Sequence, residues 1–161
     1  MKLAHVACPG LILGMLALLA AYALPVRAAT AIPIKMTFVE AVPKQADCTR
    51  PFDICGTGEV VPLGQATETI QFGVACGGAC DLRIITLADG TLIVDETEHG
   101  GSCPGNCNNR PGYGQPGMGP ITDVIVGGTG AYAGASGSLS GTVHLAGSST
   151  QIKLAGTLTL P

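Results

Sequence analysis

The 161-residue chain has no tryptophan, and aromatic residues make up only 4% of it. Beyond residue 28 they are Phe38, Phe52, Phe72, Tyr113 and Tyr132, a poor supply for a platform on which sugars or bases would stack. Charged residues are also scarce, at 12%, and there is no basic run or arginine cluster. A nucleic-acid partner requires a cationic surface that displaces condensed counterions, so none is expected. A serine-hydrolase elbow is missing too. In Gly137-Ser138-Leu139-Ser140-Gly141 the central residue is leucine, where the nucleophile should stand. Beyond residue 28 no segment keeps a helical period, because glycine, threonine and proline recur throughout.

The one long apolar run lies at the start. Lys2 gives a short basic beginning, Leu11 to Leu24 an apolar core, and Val26-Arg27-Ala28 small residues where a leader would be cut. The competing interpretation is a retained anchor, since Val6 to Leu24 approaches the length that spans a bilayer. Pro9, Gly10 and Gly14 interrupt that run, and small residues follow it. The expectation is therefore a signal peptide over 1–28. The protein would be secreted, extracellular or periplasmic, with no membrane attachment after cleavage. Cys8 precedes the apolar core and is too early to accept a lipid. The remainder, 29–161, is read as one barrel domain. It carries six basic and eleven acidic residues, a net charge of 6 − 11 = −5.

That remainder holds six cysteines: Cys48, Cys55, Cys76, Cys80, Cys103 and Cys107. An even count in an exported chain reads as disulfides, although sequence alone does not choose the connectivity. The grouping into close pairs favours local bridges, 48–55, 76–80 and 103–107. Zinc is the alternative, with Cys76, Cys80, Cys103, Cys107 and nearby His99 as donors. The spacing is wider than structural zinc sites usually have, and an oxidising compartment favours disulfides, so no metal or other cofactor is expected.

Alternation of apolar and polar residues recurs along the chain. Ile34, Met36 and Phe38 share one face of a first strand. Residues 43–64 read as irregular. A strand over about 66–75 sets Ala66, Glu68, Ile70, Phe72 and Val74 on one face. Cys76 to Cys80 forms a hairpin tip, and a return strand, Leu82 to Leu87, reaches Asp89-Gly90, a strong hairpin signal. Thr91 to Glu98 completes a meander. Residues 99–120, with seven glycines and four prolines, read as a long loop. Three further strands are expected at about 121–126, 138–146 and 150–160, with 129–135 as an additional short one. Seven or eight short hairpin-linked strands imply an all-β antiparallel barrel or sandwich. An eight-stranded barrel of this size is filled by side chains or holds one small ligand.

The stretch Gly127-Gly128-Thr129-Gly130-Ala131-Tyr132-Ala133-Gly134 fits a dinucleotide fingerprint only formally. That fingerprint needs a following helix and an acid about 20 residues on. Glycines at 134, 137 and 141 oppose the helix, and no Asp or Glu follows Asp123. Strand bends or bulges are the structural explanation. Together with Ala135-Ser136-Gly137, the run Leu139-Ser140-Gly141-Thr142-Val143 and the ending Leu154 to Leu160, the stretch resembles the C-terminal half of allene oxide cyclase-like and dirigent-like barrels. Tyr132 stands at that superfamily's aromatic position. The resemblance implies an eight-stranded antiparallel barrel with a central apolar cavity, often a homo-oligomer, here similar to exported bacterial-type members. The plant members cyclise a fatty-acid epoxide or steer phenol coupling. The six cysteines and the 99–120 segment depart from the plant pattern.

Glu68 is the single catalytic candidate. If its face lines the barrel, a desolvated carboxyl could serve as acid or base; if it lies at the strand end, it is a wet rim residue. Ile70, Phe72 and Tyr132 are the ligand-pocket candidates. Asp95, Glu96 and Glu98 read as a solvated strand end, and His144 as an outer-surface residue. The leading functional expectation is a non-catalytic module that binds a small apolar ligand or assembles through its surface. The alternatives are a cofactor-free isomerase or cyclase and a structural extracellular protein.

Overall fold

The computed structural model describes residues 28–41, 54–98, 117–146 and 149–161. They form eight antiparallel strands closed into one barrel in sequence order. The strands are β1 (Thr30–Ala41), β2 (Ile54–Val61), β3 (Gly64–Ala75), β4 (Cys80–Leu87), β5 (Gly90–Glu98), β6 (Gly117–Gly130), β7 (Ser136–Ala146) and β8 (Ser149–Leu160). Pairing of β1 with β8 closes the ring, from Thr30 opposite Leu160 to Ala41 opposite Ser149. Closure leaves no open edge for another chain to extend. Pro33 illustrates the economy of the register: pairing with β2 begins at Lys35, so the proline's missing N–H costs no ladder bond there.

The period-two pattern decides which side chains enter the barrel. Along β1, Ile34, Met36, Phe38 and Glu40 are buried while Lys35, Thr37 and Val39 are exposed. Four connections leave one end of the barrel: 42–53, the Cys76–Cys80 hairpin, 99–116 and 147–148. The opposite end carries the short turns at 62–63, 88–89 and 131–135, together with the outer ends of β1 and β8. The apolar core, which includes Met36, Ile85, Leu92, Tyr132, Leu139 and Leu158, fills the barrel toward this second end.

The expected strands are present, with instructive differences. The segment 43–64 contains a strand, β2, whose inward positions include Gly56 and Gly58; glycines on the buried face gave it the composition of a loop. The strand expected at 121–126 runs from Gly117 to Gly130, so the last four residues of the 99–120 segment belong to β6. No separate strand occupies 129–135: its first two residues end β6, and 131–134 form the turn to β7. The β5–β6 register pairs Ile93 with Gly127 and Val94 with Ile125, which makes Val126 the extra residue of a bulge. In β3 the expected face holds for Ala66, Glu68 and Ile70. It then breaks at a register irregularity between Gln71 and Ala75, which leaves Phe72 half-buried and Val74 exposed.

The glycine stretch is the tie between the two turns of the apolar end. Gly130 adopts a φ of 60°, left-handed backbone that glycine tolerates best. This turns the chain so that the Ala131 N–H donates to the Asp89 carbonyl at 2.9 Å, docking the β6–β7 turn on the β4–β5 turn. The Tyr132 N–H donates to the Thr129 carbonyl at 3.1 Å, and its side chain is buried among the core residues. Burial, reinforced by the charge of Asp89, holds the Tyr132 hydroxyl above its ordinary titration range.

Three of the cysteines are described. Cys76 and Cys80 form a disulfide across the β3–β4 hairpin, as expected for that pair, and this removes both thiolates from any zinc site. Cys55 is also disulfide-bonded. Cys48, Cys103, Cys107, His99 and residues 1–27, on which the expected signal peptide falls, lie outside the described residues.

Candidate functional site: a buried ionic cluster in the barrel

The second half of the interior, beneath the disulfide-bridged hairpin, holds a cluster of charged side chains beside the buried Ile54, Ile70 and Ile121. Glu40 of β1, Glu68 of β3, Arg83 of β4, Glu96 of β5 and Asp123 of β6 are all inward-facing and buried. Arg83 and Asp123 are 0% exposed, and Glu68 is 1% exposed. Each sits on a different strand at a position the pleat points inward, so barrel closure brings them together. Asp81, one pleat before Arg83, is buried at the same end, where its Oδ1 accepts the Gly73 N–H at 2.8 Å. Thr150 of β8 is buried opposite Glu40 in register.

Arg83 is the hub. Its Nε donates to Glu96 Oε2 at 2.6 Å, and its Nη2 donates to the same oxygen. Its Nη1 donates to Glu68 Oε2 and reaches Glu40 Oε1 at 3.3 Å. Asp123 Oδ2 lies 3.5 Å from Nε, an ion pair at longer range. The planar fork of donors suits this role, because one guanidinium can serve several carboxylates at fixed angles. Burial alone would lower the Arg83 pKa, but the surrounding Glu68, Glu96, Asp123 and Glu40 outweigh it and lift the value well above its ordinary one.

The charges do not balance. Four carboxylates ion-pair with one guanidinium; fully ionised, the cluster carries 1 − 4 = −3. An excess of that kind in a desolvated interior is costly, and a proton is the smallest counter-charge that relieves it. Two carboxyls answer. Burial pushes Glu40 well above the ordinary carboxylate value; Arg83 pulls it back, while Glu68 and Glu96 push it further up. Burial also raises Glu68, against the pull of Arg83.

Gly56 lies between these two acids. It faces Glu40 on β1 and Glu68 on β3 in register, and all three positions point inward. A Cβ at residue 56 would sit 2.6 Å from Glu68 Oε1 and 3.1 Å from the Glu40 Cγ. The bare glycine therefore lets the two carboxyl side chains approach across the intervening strand. Glu68 Oε1 is buried and, among the described residues, receives no hydrogen bond from a fixed donor. In its protonated form the Glu40 carboxyl is a donor at the same level of the barrel, and a hydrogen bond between the two acids raises Glu40 and lowers Glu68, in each case less than burial does.

The sequence-derived candidates fall into separate places. Glu68 lies inside the barrel in the ionic cluster, and its carboxyl is not at the rim. Ile70 is buried at the same end, opposite Arg83 in register. Tyr132 is buried at the other end, and Phe72 is half-buried past the β3 irregularity. These three do not line one pocket. Glu96 is a correction: expected at a solvated strand end, it is 2% exposed and ion-paired with Arg83. His144 is exposed, with Ser140 and Thr142 on the same outer face. Arg83, Glu40 and Asp123 were not singled out from the sequence. The available signal was the face Asp81-Arg83-Ile85-Leu87, where alternation places two charges among two core residues. Among the described residues no group of three or more His, Cys, Asp or Glu is placed to hold a metal ion; the guanidinium of Arg83 occupies the centre of the carboxylates.

Fold and site together define a closed eight-stranded antiparallel barrel with one apolar half and one ionic half. No protein-family model, curated protein or solved structure matches the chain.

Proposed function

We propose that the protein is an exported, non-catalytic β-barrel binding module, related to the allene oxide cyclase-like and dirigent-like barrels, that takes a small and largely apolar molecule carrying a hydrogen-bond-donating head. One observation carries this reading: an excess of carboxylate inside an otherwise apolar barrel. Such an interior complements a ligand with an apolar body and one donor or cationic group, since a few placed polar groups in an apolar site fix orientation. The cluster lies at the end where the longer connections of the chain leave the barrel, the usual location of ligand-contacting loops. Export, cleavage after Ala28 and a homo-oligomeric state belong to the same proposal.

A second reading has its own support. Glu40 and Glu68 are carboxyls whose burial keeps them protonated above the ordinary range, which is what a cofactor-free isomerase or cyclase requires of a general acid.

Native mass spectrometry of the protein purified from a host that exports it tests both. The binding module is supported by a retained small molecule whose occupancy falls in Glu68→Gln. Bare protein that also shows no mass gain when challenged with amphipathic amines and alcohols contradicts it. Turnover of a challenge compound, lost in Glu68→Gln, favours the enzyme.

A further inference from the structure

The pairing of Glu40 with Glu68 across Gly56 gives the ionic half a property the apolar half lacks. We propose that these two carboxyls hold one proton between them and act as a proton-operated latch, whose release loosens β1, β2 and β3 at the charged end of the barrel. This is independent of whether the barrel takes a ligand.

The geometry supplies each part. The proton acceptor is Glu68 Oε1, buried and without a fixed donor. The proton carrier is Glu40, whose Oε1 lies 3.3 Å from Arg83 Nη1, the longest of the four hydrogen bonds that tie the glutamates to the guanidinium. The strand between them carries no side chain at that level, so the shared proton joins the two carboxyls directly, beside the bridge that Arg83 Nη1 makes to both. Among the described residues, the charged groups buried at this end with the pair are Arg83 from β4, Glu96 from β5 and Asp123 from β6, all of the same cluster, and Asp81 from β4, which accepts the Gly73 N–H. Gly56 on β2, Thr150 on β8 and Val143 on β7 contribute no charge. Only one of these neighbours is cationic. Removal of the shared proton therefore adds a negative charge to a site already in carboxylate excess, and hydration of the strand ends is the available relief.

The sign follows from linkage. The closed barrel binds a proton that the loosened, hydrated end releases at an ordinary carboxyl pKa. Rising pH therefore favours the loosened form, by up to about tenfold in the closed-to-loosened ratio per pH unit for one proton, between the ordinary and the raised titration range. Below the ordinary range both forms are protonated and the ratio is flat.

Hydrogen exchange of the full chain, corrected for the intrinsic effect of pH, reads this directly. The latch predicts that protection over 37–41, 54–58 and 66–71 falls as pH rises from about 5 to about 9, by up to about tenfold per unit in the active window. Protection over 85–94 stays constant. In Glu40→Gln, which keeps a donor but has no proton to lose, the pH dependence disappears. Protection that is flat with pH at the charged end, or that falls equally at both ends, overturns the proposal. Should Glu40→Gln fail to fold, infrared spectroscopy of the wild-type protein decides instead. A buried protonated carboxyl band present at neutral pH and titrating with the loss of protection supports the latch, and its absence at neutral pH refutes it.

Discussion

The two halves of this barrel are stabilised by different physics. Toward the 131–135 turn the interior is apolar and closed by Tyr132, so its contribution is burial of hydrocarbon, non-directional and insensitive to pH. Toward the Cys76–Cys80 hairpin the same pleat and the same barrel wall enclose Arg83 and its carboxylates, where stability depends on charge compensation and on hydrogen-bond geometry. One barrel wall thus encloses an interior robust at one end and conditional at the other. The conditional end is the one on which both proposals rest, because its charge balance depends on protonation of the carboxyls.

The difference should be sharpest when the hub is removed. Arg83→Met leaves buried carboxylates without their guanidinium and is expected to cost about 3–5 kcal/mol at neutral pH, with part of the loss regained at mildly acidic pH as the glutamates take up protons. Urea denaturation at two pH values measures both. Leu158→Ala in the apolar half costs about 2–5 kcal/mol for the cavity it leaves. That loss should be the same at either pH, and a pH-dependent loss would erase the distinction between the halves.

Smaller effects sharpen the comparison at single points. Gly56→Ala forces a methyl to within 2.6 Å of Glu68 Oε1, a crowding expected to cost about 1–3 kcal/mol. It should also separate the two acids and weaken the pH dependence of stability, which denaturation at several pH values would show. Reduction of the Cys76–Cys80 bridge opens a short loop; the chain-entropy model gives about 2 kcal/mol or less. A thermal melt with and without reductant, run on Cys76→Ser/Cys80→Ser as the control, measures it.

Much of the fold was legible in the sequence, for reasons that also explain the omissions. Strands β3, β4, β5, β7 and β8 announce themselves through alternation and through Asp89-Gly90, both local signals. β2 does not, because two of its inward positions are Gly56 and Gly58, which read as loop when their neighbours on β1 and β3 are unknown. The site was harder for a related reason. Arg83 is 43 residues from Glu40 and 15 from Glu68, so only closure of the barrel makes them partners. A glutamate at an expected strand end looks solvated by default, and Glu96 is buried because the ring continues past it to Asp123 on β6. The glycine stretch lent itself to a bend from its composition, yet its job of docking Ala131 on the Asp89 carbonyl depends on a turn 131 − 89 = 42 residues away.

The claim that a carboxyl pair short of counter-charge is buried in one half of the barrel has a direct thermodynamic signature. Glu40 and Glu68 titrate above their ordinary value in the folded protein. The folded state therefore binds protons that the unfolded state has released. Their contribution is fully present below the ordinary carboxyl range and is lost as pH rises through the raised folded values. The decisive measurement is the unfolding free energy of the wild-type protein from about pH 5 to about pH 8 by urea denaturation. Stability should fall over that range, by up to about 1.4 kcal/mol per pH unit for each proton involved, and the slope should shrink in Glu40→Gln. Stability that instead rises with pH, as paired surface carboxylates would make it do, would contradict the account.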